Sequence, residues 1–147
     1  MPTKRSDADQ RTHAALIEEL VGILTREGFV VSAADGVKGY AAPFELSNDG
    51  YGDQEDKAPD VYAYDAARKR YIIGEAKTGN GDLETNHALT QWNVYLDQKH
   101  AASGAPSVLY VILPSTKVPH FQALITHYIH REYWNRVIVV ASSRVAT

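Results

Sequence analysis

The sequence predicts an α/β protein with a mixed central sheet, its elements in the order α-β-β-β-α-β-α-β. Three observations predict it. Leu16, Leu20, Ile23 and Leu24 recur at helical spacing, and Ile17 and Val21 widen the stripe. Two short runs rich in Val, Tyr and Ile, 61–64 and 71–74, flank a polar turn at 66–70, the pattern of a β-hairpin. Two further apolar runs, 107–113 and 137–141, are separated by a helical segment, as parallel strands joined by a crossover are. Helices on such a sheet give a layered α/β/α arrangement.

In chain order, residues 1–11 are polar and read as a flexible tail. The first helix is predicted over 12–27, with Thr12 or Asp9 as its cap and Gly28 as its stop. His13 lies on its polar-to-apolar boundary and reads as a packing or capping residue before a catalytic one. A strand begins at 29–31. Residues 32–57 are broken by glycines at 36, 39, 50 and 52, with a candidate strand over 41–46. Lys38 and Tyr40 are candidate substrate contacts there, and Glu45 is a candidate extra metal ligand. The stretch 48–53 lacks the ligand order and terminal glutamate of a calcium loop. Ile72 and Ile73 are adjacent, so the second hairpin strand is expected to be buried on both faces.

Residues 78–82 form a glycine-containing break, open to close approach by a phosphate but without Walker A spacing. A second helix is predicted over 83–100, with Leu89, Trp92 and Leu96 on its apolar face. The run 107–113 reads as a central strand stopped by Pro114. A third helix follows over 119–134, packing through Phe121, Leu124, Ile125, Tyr128 and Ile129. His120, His127 and His130 on it do not have zinc-site spacing.

A chain of 147 residues suits one domain spanning 1–147. It has no cysteine, which excludes disulfides, thiolate metal ligands and cysteine nucleophiles. No stretch is long and apolar enough for a membrane span and the N-terminus is not signal-like, so a cytoplasmic protein with no membrane partner is expected. The net charge of −3 is mild, so any nucleic-acid contact needs local basic groups or metal ions.

The chemistry concentrates at the hairpin ends. Asp60 begins its first strand, and Glu75 and Lys77 end its second. Glu75 and Lys77 are two apart and share a face. Charges at the mouth of a buried strand need partners, because unpaired charge is costly there. Two carboxylates and an ammonium at one sheet edge suit a hard divalent cation.

Pro59-Asp60, followed after fourteen intervening residues by Glu75-Ala76-Lys77, resembles the PD-(D/E)XK nuclease motif, and the resemblance extends in element order over about 12–140. What it implies is a restriction-endonuclease-like three-layer fold, with Mg²⁺, or Mn²⁺ in its place, at Asp60, Glu75 and the carbonyl of Ala76. It also implies an acidic ligand from the first helix. Glu18 and Glu19 are the candidates, and Glu19 lies nearer the edge of the stripe. Lys77 would orient water and meet charge on the phosphate. Gln91 and Tyr95 resemble the glutamine–tyrosine motif of RecB-like and resolvase-like nucleases, which gives Gln91 a place at the site. The implied activity is Mg²⁺-dependent hydrolysis of DNA by a homodimer, in the style of a small Holliday-junction resolvase acting in recombination. A compact restriction, homing or phage-encoded endonuclease, a RecB-like exonuclease and a catalytically silent DNA-binding or assembly module stay open. The resolvase pattern carries a glutamate where this chain has Ile17.

Overall fold

A computed structural model of the chain describes residues 6–43, 58–79, 96, 103–129 and 131–145. Helix α1, Asp7–Arg26, begins at Asp7 rather than Thr12, so the expected tail is already helical from residue 7. Its cap is Ser6, not Thr12 or Asp9: the Ser6 Oγ accepts from the Asp9 N–H at 3.1 Å. Asp7 and Asp9 add negative charge to the positive end of the helix dipole. Gly28, at φ +89, turns the chain out of the helix, a conformation that costs glycine little.

Five strands follow: β1 Val30–Ala34, β2 Val61–Asp65, β3 Arg70–Ala76, β4 Val108–Leu113 and β5 Val137–Ala141. They form one mixed sheet in the order β1-β2-β3-β4-β5. The β1–β2 and β2–β3 junctions are antiparallel, and β3–β4 and β4–β5 are parallel. β2 and β3 are the expected hairpin. Its turn is closed by Asp65, whose buried carboxylate accepts from the Arg68 N–H at 3.2 Å and from the Arg68 guanidinium at 3.1 Å. Lys69 takes φ +51 there.

The parallel strands require crossovers. Most of the β3–β4 crossover, including the helix expected over 83–100 with His87, Gln91 and Tyr95, lies outside the described residues; Leu96 is helical and buried. The candidate strand at 41–46 is described only as far as 43, where Ala41 makes an isolated parallel bridge to Ala33. Glu45 and the 48–53 stretch lie outside the described residues. The β4–β5 crossover is a 3₁₀ turn, Ser115–Lys117, then helix α2, Val118–Tyr128, then a second 3₁₀ segment, Arg131–Arg136. The predicted single helix over 119–134 is therefore broken. Ile129 turns extended at φ −97 and ψ 132. Its side chain is buried in the core and its carbonyl accepts from Trp134 Nε1 at 2.9 Å.

Strand alternation sorts the apolar side chains into two cores. Ile72, Val108, Tyr110 and Ile112 pack with Leu16, Ile17, Leu20 and Leu24 of α1. Ile73, Leu109, Val111 and Leu113 pack with Phe121, Leu124 and Ile125 of α2, and with Leu96. β3 and β4 are thus buried on both faces, as continuous apolar runs of parallel strands require. No helix among the described residues is long and apolar enough to cross a membrane.

Helix α1 approaches β3 most closely at Gly74. A Cβ there would stand 2.8 Å from Leu20 Cδ2 and 2.9 Å from Val61 Cβ. The Val61 contact is next to the main chain and has little room to yield. Gly74→Ala is expected to destabilise the fold by about 1–3 kcal/mol, the usual cost of overpacking. Urea denaturation of the two proteins, compared by midpoint at constant slope, checks this.

Candidate active site

The hairpin register builds the site. Val61 is paired with Gly74. Asp60 immediately precedes that pair, at the end of the ladder, near enough to Glu75 for its charge to act on it. Three main-chain and side-chain bonds fix Asp60. Its N–H donates to the Gly74 carbonyl at 3.1 Å, and its carbonyl accepts from the Asp35 N–H at 2.8 Å. Its Oδ2 accepts from the Ala76 N–H at 2.8 Å, so a carboxylate extends the ladder beyond β2. The same Oδ2 lies 3.2 Å from His13 Nε2 of α1.

Glu75 and Lys77 point to the side of the sheet that carries Ile73 and the α2 core. Both are 4 % exposed, so each needs a partner. Lys77 Nζ lies 3.5 Å from Glu75 Oε1, a long ion pair. Among the described residues, Glu75 Oε2 is a buried side-chain oxygen with no hydrogen-bond partner. Burial, followed by the nearby charge of Asp60, pushes the Glu75 carboxyl up to about 8; Lys77 offsets part of this. The Lys77 N–H donates to the Ile112 carbonyl at 3.0 Å, which fixes its backbone to β4.

Glu19 is engaged elsewhere. Ser142 Oγ donates to its Oε1 at 2.6 Å, and the Ser143 N–H and Oγ donate to its Oε2 at 2.8 and 3.1 Å. Burial alone would raise its pKa, but these bonds outweigh burial and hold the carboxyl below its ordinary value. Glu19 ties α1 to the turn after β5, and it contributes stability at neutral pH that is lost as pH falls through its lowered pKa. Its neighbour Glu18 is exposed, 3.7 Å from Arg144. Ile17, at the position where a resolvase would carry its glutamate, is core, 1 % exposed.

The structure therefore brings Asp60, Glu75, Ala76 and Lys77 together and adds His13, which the sequence offered as a packing or capping residue before a catalytic one. The signal for His13 was its place on the edge of the apolar stripe; its partner is 47 residues away and was not visible. Lys38 and Tyr40 are exposed on the loop after β1, which Asp35 bonds to Asp60. Gln91 lies outside the described residues.

Two neighbouring carboxylates, one with a buried oxygen that has no partner among the described residues, suit a hard cation. Mg²⁺ keeps several of its waters and is held through one or two carboxylates, so Asp60 and Glu75 with the carbonyl of Ala76 are an adequate donor set. Among the described residues no group of three or more His, Asp and Glu side chains is placed to hold a metal ion, so a larger carboxylate cage is not formed there. No protein-family model, curated protein or solved structure matches the chain.

Because the folded-state pKa of Glu75 lies above its ordinary 4.5, folding favours the protonated acid. The penalty is absent well below 4.5 and grows as pH rises toward 8. In metal-free buffer, the difference in Tm between Glu75→Gln and the wild type is expected to shift in favour of the variant from pH 5 to pH 8. Melting curves across that range check it; a pH-independent difference contradicts it.

Proposed function

We propose that this chain is a Mg²⁺-dependent deoxyribonuclease of the PD-(D/E)XK type, with Asp60, Glu75 and Lys77 as its hydrolytic centre and a three-layer α/β/α fold of the restriction-endonuclease kind. The observation that carries the reading is the closeness of Asp60 to Glu75 at the hairpin end, with Lys77 Nζ 3.5 Å from Glu75 Oε1 and Glu75 Oε2 buried without a partner among the described residues. Among the described residues that buried oxygen is left open, and buried polar atoms ordinarily have a partner.

Asp60, Glu75 and the carbonyl of Ala76 would hold the ion. Bound Mg²⁺ supplies Lewis-acid polarisation of a phosphoryl oxygen and lowers the pKa of water. The protein's own groups do the rest. The Ala76 N–H holds one oxygen of Asp60 in place, which keeps that carboxylate pre-oriented. His13 sets a second bond on the same oxygen and links the site to α1. Lys77, buried and anchored to Glu75, orients the attacking water and meets charge developing on the phosphate. The proposed substrate is DNA, with a four-way junction as the first structure to test, and Gln91 is the proposed contact from the intervening helix.

The proposed assembly is a homodimer, since two symmetric cuts need two sites. β5 forms an outer edge of the sheet, and Ile138 and Trp134 are exposed on and beside it. Tyr133 is covered by the Arg136 guanidinium at 4.9 Å, and the Tyr128 side chain lies outside the described set. Light scattering at micromolar concentration is expected to give twice the chain mass; a monomer with and without DNA contradicts the dimer.

Asp60→Asn is expected to weaken Mg²⁺ binding and abolish cleavage, because it removes ligand charge with little change of shape. Lys77→Ala is expected to keep metal binding while cleavage falls by about 10²-fold or more, the loss typical of one electrostatic group. Titration calorimetry beside a cleavage assay on plasmid, linear duplex, single strand and four-way junction separates the two effects. Wild-type nicking and metal affinity in Asp60→Asn would remove the nuclease reading.

A further inference from the structure

Gly79 stands two residues beyond Lys77 and takes φ +82, in the left-handed region. A Cβ built on it would lie 2.5 Å from Lys117 Cγ, 2.8 Å from Cδ and 3.1 Å from Cε. The lysine stem therefore lies along the glycine, in the space where any other residue would place its side chain. Lys117 comes from the 3₁₀ turn after β4. Its N–H donates to the Pro114 carbonyl at 2.9 Å, and Ser115 at the start of the turn donates to the Val145 carbonyl at 3.3 Å.

β3 and β4 run parallel, with Ala76 opposite Ile112. The turn after β4 is thus at the same end of the sheet as Asp60, Glu75 and Lys77. In open α/β sheets, ligands bind outside the carboxyl ends of parallel strands. Lys77 is already committed to Glu75. The Lys117 side chain is half-buried along its stem, and its ammonium makes no hydrogen bond or ion pair among the described residues.

We propose that Lys117 is a substrate-binding residue of this site, its ammonium taking a backbone phosphate of the nucleic acid next to the one that is cleaved. The proposal rests on the nuclease reading. A polyanion approaching Asp60 and Glu75 meets carboxylates, and a chain of net charge −3 has little long-range attraction to offset them. A fixed cation beside the carboxylates supplies that attraction locally. The stem's place against Gly79 restricts the lysine before substrate arrives, which reduces the side-chain entropy lost on binding. Gly79 has a corresponding role: it leaves the space the stem occupies.

Lys117→Met tests this, because it keeps an unbranched apolar stem against Gly79 and removes only the charge. Fluorescence anisotropy of a labelled DNA duplex, without added metal, is measured against salt for the wild type and the variant. The plot of log affinity against log salt is expected to lose about one unit of slope, the contribution of one phosphate contact. In steady-state cleavage with Mg²⁺, KM is expected to rise several-fold with kcat nearly unchanged, and Lys117→Arg is expected to restore both slope and KM. If the methionine disturbs folding, as judged from its melting curve, Lys117→Gln replaces it in the same measurements. A cleaving wild type whose charge-removed variant keeps the same salt slope and KM overturns the proposal and leaves the nuclease reading intact. A wild type that neither binds nor cleaves DNA overturns both.

Discussion

The bond from the Ala76 N–H to Asp60 Oδ2, 2.8 Å long, is the contact on which the site depends. It lies just past the last paired residues of β2 and β3, where the main-chain ladder ends. A carboxylate in that place serves as a ladder acceptor and, in the proposed centre, would serve as a ligand at once. It also holds a like charge near Glu75: burial, and then the charge of Asp60, disfavour ionisation of Glu75. The result is a local electrostatic cost that a cation at this position would relieve. Lys77 relieves part of it, through one oxygen of Glu75.

Helix α1 meets one end of the sheet at two places with opposite electrostatic consequences. At its first turns His13 meets Asp60; further along, Glu19 takes hydrogen bonds from Ser142 and Ser143 after β5. The Glu19 carboxylate is well solvated by protein donors and stays ionised. At Glu75 burial, and then the nearby charge of Asp60, drive the carboxyl toward its neutral form, and its bonds to Lys77 and to the Asp60 main chain offset only part of this. The two glutamates thus differ in whether hydrogen bonds outweigh burial: they do at Glu19 and do not at Glu75.

The position of β3 explains why the charged groups gather where they do. It is the strand at which pairing changes from antiparallel to parallel. Its antiparallel neighbour starts just after Asp60, while its parallel neighbour ends at the same end of the sheet and leads into the turn bearing Lys117. An all-antiparallel sheet would bring a tight hairpin to that end on both sides. The change of direction leaves room for side chains from β2, β3 and the β4–α2 turn around one opening.

The sequence by itself determined the elements whose signal is local. The apolar stripe of α1, the Val/Tyr/Ile runs of the hairpin, the doubly buried β4 and the last strand β5 were legible because period and composition report burial along a single segment. The same hairpin pattern placed Asp60 beside Glu75 and Lys77, since alternation and register are local properties. The helix start was misjudged at Thr12 because a short polar cap, Ser6, leaves no apolar period to read. The third predicted helix ran on through Ile129 because an apolar residue suits either backbone there; burial and the Trp134 bond decide for the extended one. Only the tertiary structure decided which partners meet across the chain: His13 with Asp60, Glu19 with Ser142 and Ser143, and the Lys117 stem with Gly79. Those pairings come from how α1, the β4–α2 turn and the chain after β5 pack around the sheet ends, and no periodicity in a single segment encodes them.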